Sequence, residues 1–322
     1  MQKYNQLTQD QRYHIMALKK TGMKQSFIAD EIRVHKSTVS RELTRNMGAG
    51  GYDAKQAQKL ADTKKSSAKK HIKMRTELKA KIVKKLQKDW SPEQISGRFK
   101  LDNEASISHE TIYKYILTDK KAGGTLYKFL RHSGKKHKKR YGSHDRRGQI
   151  KNKMSIEQRP AIVDKRKYIG DWEIDLVIGK DHQGALVTIV DRVSKLTLIA
   201  KVASKHAEGV TAATIKLMTP YIDFSQSITA DNGKEFAGHE EVAKVLGINF
   251  YFAHPYSSYE RGTNENTNGL IRQYVPKGCS FDDVTNKTAQ HIMRKLNNRP
   301  RKTLDYKTPN EFLFELIGRI AA

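Results

Sequence analysis

The positive charge of this chain is concentrated at one end. Of 322 residues carrying a net charge of +27, residues 1–150 hold 36 Lys and Arg against 14 Asp and Glu, while residues 151–322 hold 25 against 20. A like-charged stretch repels itself when compacted, and the usual reason to carry it is a polyanionic partner. The two halves therefore do different work. With 37% hydrophobic and 8% aromatic residues the chain can still bury a sizeable core, and its length fits two to three domains at about 100 to 200 residues each. The lone cysteine, Cys279, excludes an internal disulfide framework and a Cys-based zinc module, which points to a reducing compartment. The N-terminal residues MQKYNQLTQDQRYHIM lack the apolar run of a signal peptide. No stretch approaches the roughly 18 uncharged apolar residues of a membrane span. The expectation is a cytoplasmic, nucleoid-associated protein that faces nucleic acid.

The basic half has helical punctuation and few β-branched runs, whereas the second half opens with strand-like DWEIDLVIG and ALVTIVDRV. The fold class expected is multidomain: an all-α helix-turn-helix region followed by a mixed α/β domain. Four segments follow: helix-turn-helix units over residues 1–50 and 51–131, a basic linker over 132–154, and the α/β domain over 155–322. The linker packs Lys135, Lys136, Lys138, Lys139 and Arg140 among Gly and Ser. It reads as a solvated connection, as an arm tracking DNA phosphates, or as both.

In the first unit a Thr8-x-x-Gln11 capping box opens a helix that stops at Gly22. A short amphipathic piece with Phe27, Ile28 and Ile32 and a turn near Arg33 to His35 lead into KSTVSRELTRN. If Val39 and Leu43 face inward, Ser37, Thr38, Arg41 and Arg45 face outward, where Arg41 could make a bidentate contact to guanine and Ser37 could hold a phosphate. A generic three-helix bundle with a charged exterior is the alternative. The second unit repeats the pattern: a helix around Leu78 to Leu86, a Ser91-Pro92-Glu93-Gln94 start, then ISHETIYKYIL capped by Ser108. Here His109, Thr111 and Lys114 would face DNA, unless the apolar side with Tyr113 makes this a packing or dimerisation module.

From residue 170 three hairpin-connected strands are followed by alternating helices and strands, an order that fits a ribonuclease H-like core. Asp175 lies inside an apolar strand, where an unpaired carboxylate is costly and needs a metal, a partner or an edge. Asp231 ends the strand ITAD before Asn-Gly, and taken alone it is a turn residue. Glu265 lies at or just after a helix start, where a solvated glutamate is the default. Together the three acids suit Mg²⁺, with Mn²⁺ as a substitute. Two ions about 4 Å apart can activate the attacking oxygen and stabilise the leaving oxygen of an in-line phosphoryl displacement.

The motifs STVSREL, WSPEQISG, SHETIYKYI, GDWEIDLVIG, TADNGKEF and YERGTNENTNGLIRQYVPKG span nearly the whole chain. The chain they belong to resembles the IS-thirty family of bacterial insertion-sequence transposases, in the DDE transposase and retroviral integrase superfamily. The resemblance implies Asp175, Asp231 and Glu265 as the catalytic, metal-holding acids, and the 33 residues between Asp231 and Glu265 match the family's spacing better than Glu260 would. It gives Arg261 and Arg272 the places of the superfamily's flanking basic residues, with the expected tyrosine displaced to Tyr259. It also makes Ile174 a departure from the usual glycine of W-E-G-D. Arg261, Arg272 and Lys277 would position double-stranded DNA near the metals, and Asn232, Glu235, Asn264 and Asn266 would orient metal-bound water or cap turns. The implied activity is cleavage at the element's terminal inverted repeats by water, then attack of the freed 3′-hydroxyl on another phosphodiester of target DNA, with a circular intermediate. Pairing of two ends implies at least a homodimer. A DNA-binding regulator with inert acids and a structure-specific nuclease without joining activity remain as alternatives.

Overall fold

A computed structural model describes residues 6–48, 50–67, 74–131, 150–255 and 257–320. The chain forms two compact units, Met1–Lys73 and Met74–Ala322.

The first unit holds α1 (Gln9–Lys20), α2 (Gln25–Glu31), α3 (Lys36–Asn46), a small antiparallel ribbon of β1 (Met47–Gly48) and β2 (Gly51–Tyr52), and α4 (Ala54–Ser67). The box at its start is complete: the Gln11 N–H donates to Thr8 Oγ1 at 3.2 Å and the Thr8 N–H to Gln11 Oε1 at 3.0 Å. Gly22, at φ 76°, supplies the left-handed turn that releases the chain after α1. Ile15, Ile28, Val39, Leu43 and Ala57 share the core. Residues 51–67, expected to open the second unit, instead belong to the first, because α4 buries Ala54 and Ala57 and packs on α1.

The second unit begins with α5 (Thr76–Leu86), α6 (Pro92–Leu101) and α7 (His109–Lys121). The Ser91–Gln94 box is formed, and Ser108 caps α7 by accepting the Thr111 N–H. These helices enclose Ile82, Trp90, Ile95, Phe99, Ile112 and Ile116. They do not stand apart from the sheet domain that follows. Arg98 Nη1 donates to Glu311 Oε2 at 2.6 Å, Lys302 pairs with Glu93 at 2.6 Å, and Arg299 Nε donates to Gln94 Oε1 at 2.9 Å. Asp89 accepts from Tyr274 at 3.1 Å and from Lys295. A Cβ on Gly97 would fall 2.3 Å from the Tyr306 ring.

The rest of this unit is a six-stranded mixed sheet in the order β3-β8-β7-β4-β5-β6, formed by β3 (Met154–Ser155), β4 (Asp171–Ile178), β5 (Ala185–Asp191), β6 (Thr197–Val202), β7 (Ser227–Ala230) and β8 (Asn249–Phe252). Strands β4, β5 and β6 run antiparallel; β7, β8 and β3 add parallel beyond β4. Helices α8 (Ala207–Met218) and α9 (His239–Leu246) cover one face, and α10 (Gly262–Ile271) and α11 (Asn286–Asn297) the other, with α12 (Pro309–Ile320) at the end. Alternation along β4 sorts its side chains: Trp172, Ile174 and Leu176 enter the α8/α9 core, and Glu173, Asp175 and Val177 face α10 and α11. No described helix is long and apolar enough to cross a membrane.

Candidate active site

The parallel pairing of β4 with β7 sets Glu173 beside Thr229. Continuing that register by two residues brings Asp175 level with Asp231, just past the end of β7. Their carboxylates are drawn together by one guanidinium: Arg261 Nη1 lies 3.7 Å from Asp175 Oδ2 and Arg261 Nη2 3.3 Å from Asp231 Oδ2. Arg261 also donates to the Ile174 carbonyl at 3.1 Å. Backbone donors orient both acids, the Leu176 N–H to Asp175 Oδ1 and the Gly233 N–H to Asp231 Oδ1, each at 2.9 Å. Burial, chiefly, and the nearby Asp231 and Glu235 charges push the Asp175 carboxyl up to about 6, against the pull of Arg261.

Helix α10 is fastened beside this pair by a buried polar network. Glu173, fully buried, accepts the Asn264 N–H on Oε2 at 2.8 Å, and Arg192 Nε stands 3.1 Å from its other oxygen. Asn264 Nδ2 donates to the carbonyls of Glu173 and Thr188 at 2.9 and 3.0 Å. Asn268, one turn further on, donates to Asp175 Oδ2 at 2.9 Å. Because each helical residue turns about 100° from the last, anchoring Asn264 and Asn268 inward turns Glu265 aside. Glu265 is exposed in the first turn of α10, and among the described residues no ion pair or hydrogen bond joins it to either aspartate. No group of three His, Cys, Asp or Glu among the described residues stands close enough to hold an ion. Glu260 is engaged elsewhere, accepting from His254 N and lying 2.8 Å from its Nδ1.

Several expected DNA contacts are placed differently. Arg261 is buried between the acids rather than facing DNA, because its guanidinium offsets two converging carboxylates. Arg272 turns inward too, donating from Nη2 to the Ile178 carbonyl at 2.9 Å at the end of β4. Lys277 is exposed. On α3, Arg41 and Arg45 are exposed and Ser37 and Thr38 half-buried, with Val39 and Leu43 in the core; the Ser37 hydroxyl lies 2.8 Å from His35 Nδ1. On α7, His109 and Lys114 are exposed, while the Thr111 hydroxyl meets Ser108 Oγ at 2.9 Å. Lys135, Lys136, Lys138, Lys139 and Arg140 lie outside the described residues. Asn232 donates to the Ala253 carbonyl at 2.6 Å, a turn-bracing role, and Asn266 is exposed.

Comparison with known proteins bears on this geometry. Residues 3–46 match the helix-turn-helix domain family and residues 166–258 the integrase core domain family. The chain is 46% identical over 315 residues to the transposase for insertion sequence element IS4351 of Bacteroides fragilis, covering 97% of each chain. The chain belongs to the IS-thirty family of insertion-sequence transposases. Further relatives are the transposase for element IS1086 of Cupriavidus metallidurans, 34% identical over 98% of this chain and 96% of that protein, and transposase InsI for element IS30A of Escherichia coli, 36% identical over 95% and 83%. This transposase is thus a DDE-type enzyme that binds DNA, with a helix-turn-helix domain ahead of a ribonuclease H-like integrase core. The integrase-core match stops before α10 and so does not reach Glu265. Ile174 sits fully buried in the α8/α9 core on the face away from the acids, and its carbonyl accepts from Arg261. Glu173, Thr188, Arg192 and Asn268 escaped the reading of the sequence. The available signal for Glu173 was its parity with Asp175: two acids at i and i+2 of one apolar strand share a face.

Proposed function

We propose that this transposase binds the terminal inverted repeats of its element, cleaves the ends with water and joins the freed 3′-hydroxyls to DNA, through a circular intermediate with abutted ends. Asp175, Asp231 and Glu265 carry the reaction, and the protein works as a homodimer or higher oligomer on nucleoid DNA in the cytoplasm, since two ends must be paired. The observation that carries this reading is the convergence of Asp175 and Asp231 from adjacent strands onto one cation, Arg261.

The two aspartates fit a divalent ion: they are hard oxygen donors, half-buried and brought together from adjacent strands, and burial, with the neighbouring Asp231 and Glu235 charges, raises the Asp175 carboxyl despite Arg261. Mg²⁺, or Mn²⁺ in its place, would be held by these carboxylates and would supply charge neutralisation at the scissile phosphate and activation of the attacking oxygen, two ions serving both ends of the displacement. The protein's own groups hold the acids for that purpose. Leu176 and Gly233 N–H fix one oxygen of each aspartate, Asn268 fixes the second oxygen of Asp175, and Glu173 and Asn264 hold α10, the helix that carries Glu265, against the strand that carries Asp175. Outward-facing Arg41 and Arg45 on α3, and His109 and Lys114 on α7, provide base and phosphate contacts.

The test offers the enzyme a pre-cleaved end bearing a free 3′-hydroxyl, with Mg²⁺ and a target duplex. Joined product supports a transposase chemistry with strand transfer at this site; cleavage of intact ends without any joining of pre-cleaved ones identifies a nuclease instead.

A further inference from the structure

The first unit carries a groove of about 390 Å³ between α3 and α4. One wall is the outward face of α3, with Thr38, Arg41 and Arg45; the other is the last turn of α4, with Lys64 and Lys65. The acid lining it, Glu42, is already committed: Arg12 Nε donates to it at 2.7 Å and the Tyr52 hydroxyl at 3.1 Å. Four cations therefore face one groove, and among the described residues none of the four is in an ion pair. Lysines in the last turn of a helix favour its dipole by a few tenths of a kcal/mol to about 1 kcal/mol. That preference is met by any placement around the last turn, and it does not account for a placement opposite two arginines, where like charges repel. A polyanion lying in the groove does account for it.

We propose that α4 is a second DNA-contacting helix: Lys64 and Lys65 hold the phosphate backbone of a duplex whose bases α3 reads, with the backbone strand running along the groove between the two helices. The helix-turn-helix match ends at residue 46, before α4 begins, so this contact is an addition to that motif. The proposal rests on α3 being the DNA-reading helix. What fastens α4 in place is separate from the charged residues: Ala54 and Ala57 pack inward, and Gln58 accepts from Arg12 Nη1 at 2.7 Å. The lysines are exposed and can be changed without disturbing that anchor.

The experiment measures binding of the full-length protein to a duplex carrying the element's terminal repeat and to a scrambled duplex of the same length, across a range of salt concentrations. Each phosphate contact contributes about 0.9 to the slope of log affinity against log salt. The double variant Lys64→Gln/Lys65→Gln is expected to make that slope shallower by about 1.8, which corresponds to roughly 60-fold weaker binding at 0.1 M salt, equally on both duplexes. Lys64→Arg/Lys65→Arg should restore binding. Arg41→Ala, measured alongside, should instead narrow the difference between the two duplexes. If Arg41→Ala behaves so while the lysine variant keeps the wild-type slope and affinity, α4 is not on the DNA and the proposal falls alone. A loss confined to the repeat duplex would also overturn it, since phosphate contacts carry no sequence. If Arg41→Ala changes nothing, α3 is not the reading helix, and both readings fall.

Discussion

Removing the Glu173 side chain should unfasten α10 from the sheet, and the structure sets the size of the effect. The carboxylate is fully buried, one oxygen accepting the Asn264 N–H at 2.8 Å in the first turn of α10, the other facing Arg192 Nε at 3.1 Å. Losing a first-turn acceptor of this kind costs about 1 kcal/mol. Leaving a buried guanidinium without its buried partner costs about 3 to 5 kcal/mol, and this dominates. Among the described residues, Arg192 retains only Asp164, 3.3 Å away and largely exposed, so the relief from that side is small. Glu173→Ala should therefore destabilise the second unit by roughly 4 kcal/mol, or about 8 to 16 °C in melting temperature for a unit of this size. Glu173→Gln keeps an acceptor for Asn264 and should lose less. The decisive comparison is Glu173→Ala/Arg192→Met, which removes both charges: it should be more stable than Glu173→Ala alone, because the orphaned cation is gone. Urea unfolding gives the stabilities, and hydrogen exchange along residues 262–271 shows whether α10 opens first. A Glu173→Ala protein within 1 kcal/mol of wild type, or a double variant less stable than the single by the full cost of losing Arg192, would refute this reasoning.

Three further outcomes are expected. Burial pushes the Asp175 carboxyl up to about 6 in the folded chain against 3.8 unfolded, so the folded state holds that proton more tightly, and stability falls as the pH rises from about 3.8 to 6 and stays reduced above it. Asp175→Asn should thus melt higher than the metal-free wild type at pH 7, the gap narrowing below pH 6 and closing toward about pH 4; a constant gap, or one that widens on acidification, contradicts this. Arg261→Gln should leave two carboxylates without their shared cation, raising the Asp175 titration further in the metal-free protein, which an infrared carboxylate titration would detect. Gly97→Leu should drive a side chain into the Tyr306 ring and cost about 1 to 3 kcal/mol, and Tyr306→Ala in the same chain should recover most of it in a melting assay.

What could be read from the sequence were features whose cause is local. The Thr8, Ser91 and Ser108 caps act within three residues of themselves, and each is formed as expected. Continuous apolar runs separated by turn residues set out the order of β4 through β8, with Asp175 inside the first of them. What escaped depends on partners far apart in the chain. Nothing near Arg98 or Glu93 shows that they meet Glu311 and Lys302, so the docking of α5–α7 on the C-terminal segments was invisible. Arg261 was expected to contact DNA because the resemblance gives it the place of a flanking basic residue; in the fold, the register of β4 and β7 closes two carboxylates around it. Glu265 illustrates the converse: spacing and family resemblance single it out, while the inward anchoring of Asn264 and Asn268 determines where its side chain starts from.

The most direct test of the account is end cleavage and joining in Mg²⁺ by wild type, Glu265→Gln and Glu260→Gln side by side, with DNA binding measured on the same preparations. Glutamine keeps the size and hydrogen-bonding capacity of the side chain and removes the charge that a hard cation requires. Glu265→Gln should fold and bind end DNA as wild type does and lose both cleavage and joining together, because one site serves both steps. Glu260→Gln, which alters only the contact with His254, should keep both. An active Glu265→Gln beside an inactive Glu260→Gln would contradict the assignment of the third acid, and a wild type that binds its ends yet neither cuts nor joins them would contradict the catalytic reading as a whole.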